Sequence, residues 1–159
     1  MASQSASHST NSYPAPAPQP LLPELPADIL EQLNSQLGSL NESMGIHFVA
    51  ADREKLVAQM PVEGNTQPYG ILHGGASGVI AETIGSIGSA IHSSQFGTLP
   101  VGLELSCAHH KSVSSGNVTA TGRPISLGKT MTCWEIVLTD DDGNRTCTAR
   151  LTCYLRTFN

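Results

Sequence analysis

The chain has 159 residues and a hydrophobic fraction of 39%, enough for one core and therefore one folded domain. A formal net charge of −5 excludes a general nucleic-acid binder, because neutralising phosphates needs a surplus of Lys and Arg. No apolar run reaches membrane-span length and the N-terminus lacks the basic-then-apolar layout of a secretory signal, so a cytoplasmic protein with no membrane partner is expected.

Residues 1–25 are rich in Ser, Pro and Ala, including the run Tyr13-Pro14-Ala15-Pro16-Ala17-Pro18. Such a segment buries too little apolar surface to offset its ordering entropy and reads as a disordered tail, leaving 26–159 as the domain. From Asp28 the residues Ile29, Leu30, Leu33 and Leu37 recur at helical spacing, with Gly38 as the stop. Extended stretches at 46–51 and 55–62 follow and read as a hairpin.

From Gln67 to His92 a Gly-rich turn, His73-Gly74-Gly75, opens a long helix-period stretch. Steps of about 100° put Val79, Ile80, Ile84, Ile87, Ala90 and Ile91 on one face and Gly78, Glu82, Gly85 and Ser89 on the other. Glycine costs roughly 1 kcal/mol inside a helix, so Gly78, Gly85 and Gly88 require compensation, such as close approach of another backbone or a ligand. Four more extended runs follow, at 99–107, 117–125, 130–139 and 145–155, the last two flanking the turn signal Asp140-Asp141-Asp142-Gly143-Asn144. One apolar helix face against one large antiparallel sheet gives a two-layer α+β domain with the long helix wrapped by the sheet.

Cys107, Cys133, Cys147 and Cys153 form no C-x-x-C pair and lie in strand-like stretches, as expected of buried free thiols in a reducing compartment. Only Arg53 and Lys55 precede position 110, whereas Lys111, Arg123, Lys129, Arg145, Arg150 and Arg156 follow it. These six are either a local positive patch suited to one phosphorylated ligand or scattered solvated side chains.

The chemistry centres on Glu82. Most helical glutamates are solvated surface groups, but Glu82 stands among Gly78, Gly85 and Ser86 with no Lys or Arg at helical neighbour positions. Solvated faces are usually built from long polar side chains, whereas small ones leave room for a substrate. At the helix start, the Gly74 and Gly75 N–H groups are expected to be free at the positive end of the dipole, a ready oxyanion hole. Each such donor is worth about 3–4 kcal/mol in acyl transfer. A polarising turn plus a carboxylate supplies carbonyl activation together with a nucleophile or general base. Alone, His73-Gly74-Gly75 is equally an ordinary helix-entry turn.

The stretch Gln67-Pro68-Tyr69-Gly70-Ile71-Leu72-His73-Gly74-Gly75-Ala76-Ser77, continuing through Ala81-Glu82-Thr83-Ile84-Gly85-Ser86, resembles the signature of hotdog-fold thioesterases. It is similar to the branch holding the 1,4-dihydroxy-2-naphthoyl-CoA and glutamate-dependent 4-hydroxybenzoyl-CoA thioesterases, over about residues 28–156. The resemblance implies a helix wrapped by a six-stranded sheet, in dimers that pair into tetramers. It also implies Glu82 as nucleophile or general base, Gln67 and His73 orienting the thioester with the Gly74 amide, and Ser86 positioning water. Gln67 and His73 would come from one subunit, Glu82 and Ser86 from another. Val101-Gly102-Leu103-Glu104 and Ala108-His109-His110-Lys111-Ser112 resemble the family's coenzyme A strand, with His109 and Lys111 as contacts. Leu127-Gly128-Lys129-Thr130 resembles a second phosphate-side loop, with Gly128 and Lys129. Lys stands where relatives carry Arg and cannot reproduce its bidentate grip.

The resulting expectation is hydrolysis of an aromatic acyl-CoA without metal or other cofactor, with 1,4-dihydroxy-2-naphthoyl-CoA in menaquinone synthesis as the leading substrate. Alternatives are housekeeping or proofreading hydrolysis on carrier protein or CoA, 4-hydroxybenzoyl-CoA hydrolysis, and a non-catalytic ligand-binding module. His109-His110 is not expected to hold a metal, since adjacent strand residues face opposite sides. Ser77 and Ser86 lack a G-x-S-x-G context, and Trp134 reads as core.

Overall fold

The computed structural model describes residues 24–157. All but two positions of the Ser/Pro/Ala-rich tail therefore lie outside the described residues. Two short helices, α1 (Ile29–Ser35) and α2 (Ser39–Ser43), precede the hairpin β1 (His47–Ala51) and β2 (Leu56–Pro61). The long helix α3 (Gly74–Ser93) and a 3₁₀ turn (Ser94–Phe96) lead to β3 (Leu99–His109), β4 (Asn117–Leu127), β5 (Met131–Thr139) and β6 (Arg145–Arg156). The strands form one six-stranded antiparallel sheet in the order β1-β2-β4-β5-β6-β3. This is the hotdog architecture expected from the sequence.

Gly38 does not end the helical region. It has a φ of +79° and serves as the N-cap of α2, so the chain turns and a second helix begins. Ser39 and Glu42 have the spacing of a capping box, a helix-start signal the apolar periodicity passes over. The β5–β6 turn forms where expected: Gly143 takes a φ of +81°, and Asp140 Oδ1 accepts from the Asn144 N–H at 2.8 Å.

Strand alternation supplies the core from every strand but β3. Leu56, Ala58 and Met60 of β2, Trp134, Ile136 and Leu138 of β5, and Cys147, Ala149, Leu151 and Cys153 of β6 face the helix and are buried. Full burial of a large apolar side chain is worth about 1.5–3 kcal/mol. Trp134 is core, as read from the sequence. No disulfide joins the cysteines: Cys147 and Cys153 are buried, Cys107 and Cys133 half-buried. Burial, and then the neighbouring Cys107, pushes the Cys147 thiol up to about 11.

The face of α3 toward the sheet differs from the one that apolar spacing marks. Ser77, Ile80, Ala81, Ile84, Gly85, Gly88, Ser89 and His92 are buried against it, whereas Val79, Ile87 and Ala90 are only half-buried. Gly85 and Ser89, expected on the open side, therefore belong to the core. A methyl at Gly85 would lie 2.5 Å from Leu151 Cδ2, and one at Gly88 would run into the Trp134 ring. Ser89 is satisfied there, bonding the Gly85 carbonyl at 2.7 Å and Thr132 Oγ1 at 2.6 Å. Small residues let helix and sheet approach closely, and part of the apolar arc is left to line a cavity instead.

β3 is an edge strand with an unusual surface. Leu99, Val101, Leu103 and Leu105 are exposed along it, and a register shift between Gly102 and Glu104 makes Leu103 a bulge. Long exposed apolar edges template pairing with another chain and are normally covered. No helix among the described residues is long and apolar enough to cross a membrane.

Candidate active site

The entrance to α3 is built by a turn. The Gly70 N–H donates to the Gln67 carbonyl at 2.9 Å with Gly70 at φ +73°, which folds Gln67-Pro68-Tyr69-Gly70 back on itself. The His73 N–H is held by the Asn65 carbonyl at 2.9 Å, and His73 caps the helix with Nδ1, accepting from the Gly75 N–H at 2.8 Å. Two consequences follow. Gly75 is not the free donor the sequence suggests, since its N–H is already bonded to His73 Nδ1. Nδ1 accepts, so the neutral ring of this exposed residue carries its proton on Nε2.

Gln67 and Gly74 line a cavity of about 360 Å³ together with Ser77, His109, His110 and Lys111. The His109 ring packs on Gly74, where a methyl would meet Nε2 at 3.1 Å. His110 Nε2 bonds Thr148 Oγ1 at 2.9 Å. Lys111 Nζ lies 2.6 Å from Asp140 Oδ2, and this ammonium holds the Asp140 carboxyl down at about 2. Arg150 pairs with Glu104 at 3.6 Å. Two of the six late basic residues thus already have carboxylate partners.

Glu82 and Ser86 line a different cavity, of about 600 Å³, between α2 and α3. Its apolar wall is Leu37, Leu40, Val79, Ile87 and Leu105, which explains why α3 carries apolar residues away from the sheet. Ser86 Oγ donates to Glu82 Oε1 at 3.4 Å, and the carboxylate packs on the backbone of Gly102 in β3, where a methyl would come within 2.5 Å of Oε1. A side chain at 102 would displace the Glu82 carboxylate, which occupies that space. Behind the site, burial raises the Cys153 thiol.

The remaining sequence candidates, Gly128 and Lys129, sit at the other end of α3. The buried ring of His92 donates through Nε2 to the Gly128 carbonyl at 2.9 Å, pinning the β4–β5 turn to the helix C-terminus. Gly74 and His92 are separated by about 27 Å of helix at 1.5 Å per residue. Within one chain, Lys129 therefore does not share a ligand with His109 and Lys111. Gly74 and Glu82 are likewise about 12 Å apart along α3 and open into separate cavities. Sequence reasoning missed Asn41 and Thr83, which line the larger cavity and bond each other at 2.7 Å. Only α2, hidden behind the expected stop at Gly38, brings Asn41 there.

Residues 69–147 match the family described as the thioesterase superfamily. The proofreading thioesterase EntH of Cronobacter turicensis is 44% identical over 124 residues, spanning 77% of this chain and 90% of the relative. A variant of a thioesterase from Pseudomonas aeruginosa has the same fold, with a TM-score of 0.77 at 45% identity over 81% of this chain and 94% of that one. A thioesterase from Haemophilus influenzae also gives 0.77, at 36% identity over 80% and 90%.

Proposed function

As a member of the thioesterase superfamily this chain is a thioester hydrolase, and we propose that it cleaves an aromatic acyl-CoA with Glu82 as nucleophile or general base. The observation that carries the reading is Glu82 itself, hydrogen-bonded to Ser86 at the wall of a largely apolar cavity. The Gly74 N–H, with Gln67 and the Nε2–H of His73, polarises the thioester carbonyl, and Ser86 positions water. Attack at the carbonyl carbon breaks the C–S bond, the thiolate leaves and takes a proton, and water supplies the oxygen of the acid.

These donors and Glu82 stand apart in one chain, and β3 suggests how they meet. Glu82 packs on Gly102 near one end of the strand and Gly74 on His109 at the other. Two copies of β3 paired antiparallel about a twofold axis bring Gly102 of each beside His109 of the other, completing two sites. The exposed apolar edge of β3 supports that pairing.

A second reading is housekeeping or proofreading: removal of stray acyl groups from a carrier protein or from coenzyme A. The likeness to a relative named for that role favours it, and nothing singles out 1,4-dihydroxy-2-naphthoyl-CoA. Thiol release from acyl-CoA and acyl-carrier-protein esters of the same acids separates the two by their relative rates. The test of the chemistry is Glu82→Gln, which keeps the shape but is neither nucleophile nor base. kcat is expected to fall by about 10²–10⁴-fold with substrate binding nearly unchanged. Retention of more than about a tenth of kcat removes Glu82 from the mechanism.

A further inference from the structure

A buried thiol lies behind the Glu82 carboxylate. Cys153 of β6 is the cross-strand partner of Gly102 in β3 on one side and of Thr132 in β5 on the other, so Gly102, Cys153 and Thr132 form one row beneath α3. Residues directly opposite in antiparallel strands share a face. Glu82 covers the Gly102 end of this row, and Ser89 the other end, with its hydroxyl 2.6 Å from Thr132 Oγ1. Glu82 and Ser89 stand about 10 Å apart along the helix, and the ends of the row about 9.5 Å apart, two strand spacings. The two lines match in length, which brings their midpoints together: Ser86 on the helix and Cys153 on the sheet. Cys153 is buried there, with Ser86, Ser89 and Thr132 in hydrogen-bonding reach of its sulfur.

The protons of this cluster leave one donor over. Ser86 gives its proton to Glu82 Oε1 at 3.4 Å and Ser89 gives its own to the Gly85 carbonyl at 2.7 Å, so Thr132 is the donor in its bond to Ser89. Each hydroxyl has a single proton, and all three are committed. The Cys153 S–H is not, and burial raises the thiol, which keeps that proton in place. Ser89 already accepts from Thr132, and Thr132 lies on the side of Cys153 away from the carboxylate. Ser86 has both lone pairs to offer, and the negative charge of Glu82 draws the S–H dipole toward it. We infer that Cys153 is a positioning residue for the hydrolysis, donating its S–H to Ser86 Oγ so that the Ser86 proton stays on Glu82. The chain from Cys153 through Ser86 to Glu82 leaves Ser86 one lone pair, which accepts an O–H of the attacking water. The inference rests on the reading of Glu82 and Ser86 as the hydrolytic pair.

The experiment compares Cys153→Ala and Cys153→Ser with wild type on whichever of benzoyl-CoA and hexanoyl-CoA wild type turns over faster. C153A is expected to lower kcat by about three- to tenfold with KM within about twofold, the effect of one lost neutral hydrogen bond. C153S should bring kcat back to within about twofold of wild type, because a hydroxyl donates from the same place. Ser and Ala leave nearly the same space, so a thiol that only fills the core predicts equal losses in both. The infrared S–H stretching band gives a readout without turnover: Ser86→Ala removes the acceptor and should shift one band to higher frequency, and C153S, by losing that band, assigns it to Cys153. The inference is overturned by full kcat in C153A, by equal losses in C153A and C153S, or by S–H bands that S86A leaves in place. Should the variants at 153 fail to fold, the difference spectrum between wild type and S86A decides alone. Glu82→Gln keeps the two levels apart. An E82Q enzyme with more than about a tenth of kcat overturns the reading of the site and this inference with it, whereas an inactive E82Q beside a fully active C153A overturns the inference alone.

Discussion

The two faces of α3 use the same small residues for opposite purposes. Toward the sheet, Gly85 and Gly88 are filled positions: Leu151 and Trp134 press on them so closely that a single methyl has no place. Toward the cavity, Gly78 is an open position, where a methyl would touch Leu105 Cδ2 at an ordinary 3.6 Å. A glycine in a helix marks either a contact already made inside the chain or room kept for something outside it, and the helix itself does not say which. The buried face specifies the fold. The open face, with Glu82, Thr83 and Ser86, lines the larger cavity.

The sharpest way to break this division concerns what the open face receives. If a second subunit completes the site there, an inactive Glu82→Ala chain and an inactive His73→Ala chain should recover activity when mixed and allowed to exchange subunits. A hybrid dimer holds one intact and one doubly damaged site, so up to about a quarter of wild-type turnover is expected from random exchange of two-subunit units. No recovery after exchange has been verified by mass would confine the site to one chain and refute the pairing through β3.

Next in size is the buried face. Gly88→Ala forces a methyl into the Trp134 ring and should destabilise by about 1–3 kcal/mol, read by urea unfolding. Its counterpart, Gly78→Ala, should do the reverse in stability, gaining up to about 1 kcal/mol from helix propensity. The same variant should lower kcat/KM, because the methyl enters the cavity wall. A loss of stability in G78A matching that of G88A would erase the distinction between the faces.

The smallest effect lies at the rim. Asp140 titrates at about 2, below its ordinary 3.8, because the Lys111 ammonium favours the carboxylate. Its contribution to stability is therefore complete above about pH 4 and lost as pH falls toward 2. The Tm difference between wild type and Asp140→Asn should be level from neutral pH down to about 4 and shrink below it. An unchanged difference at pH 2.5 would show that Lys111 is not what holds Asp140.

Period and punctuation in the sequence determined the elements: alternation marked the strands, Asp140 to Asn144 marked the last hairpin, and the small residues beside Glu82 marked a carboxylate with space around it. These are local properties, carried by residues a few positions apart. Which face of α3 meets the sheet was not legible, because Val79 and Ile87 are apolar for a cavity while Gly85 and Ser89 are small for a core, and apolar spacing treats all burial alike. The capture of the Gly75 N–H by His73 depends on one rotamer at the helix entrance. Asn41 comes to Thr83 only because Gly38 turns the chain instead of ending it, joining positions 42 residues apart. Edge position decided the rest: the strand that follows α3 in the chain crosses to the far side of the sheet, and its exposed apolar row has meaning only once the order β1-β2-β4-β5-β6-β3 leaves it without a neighbour.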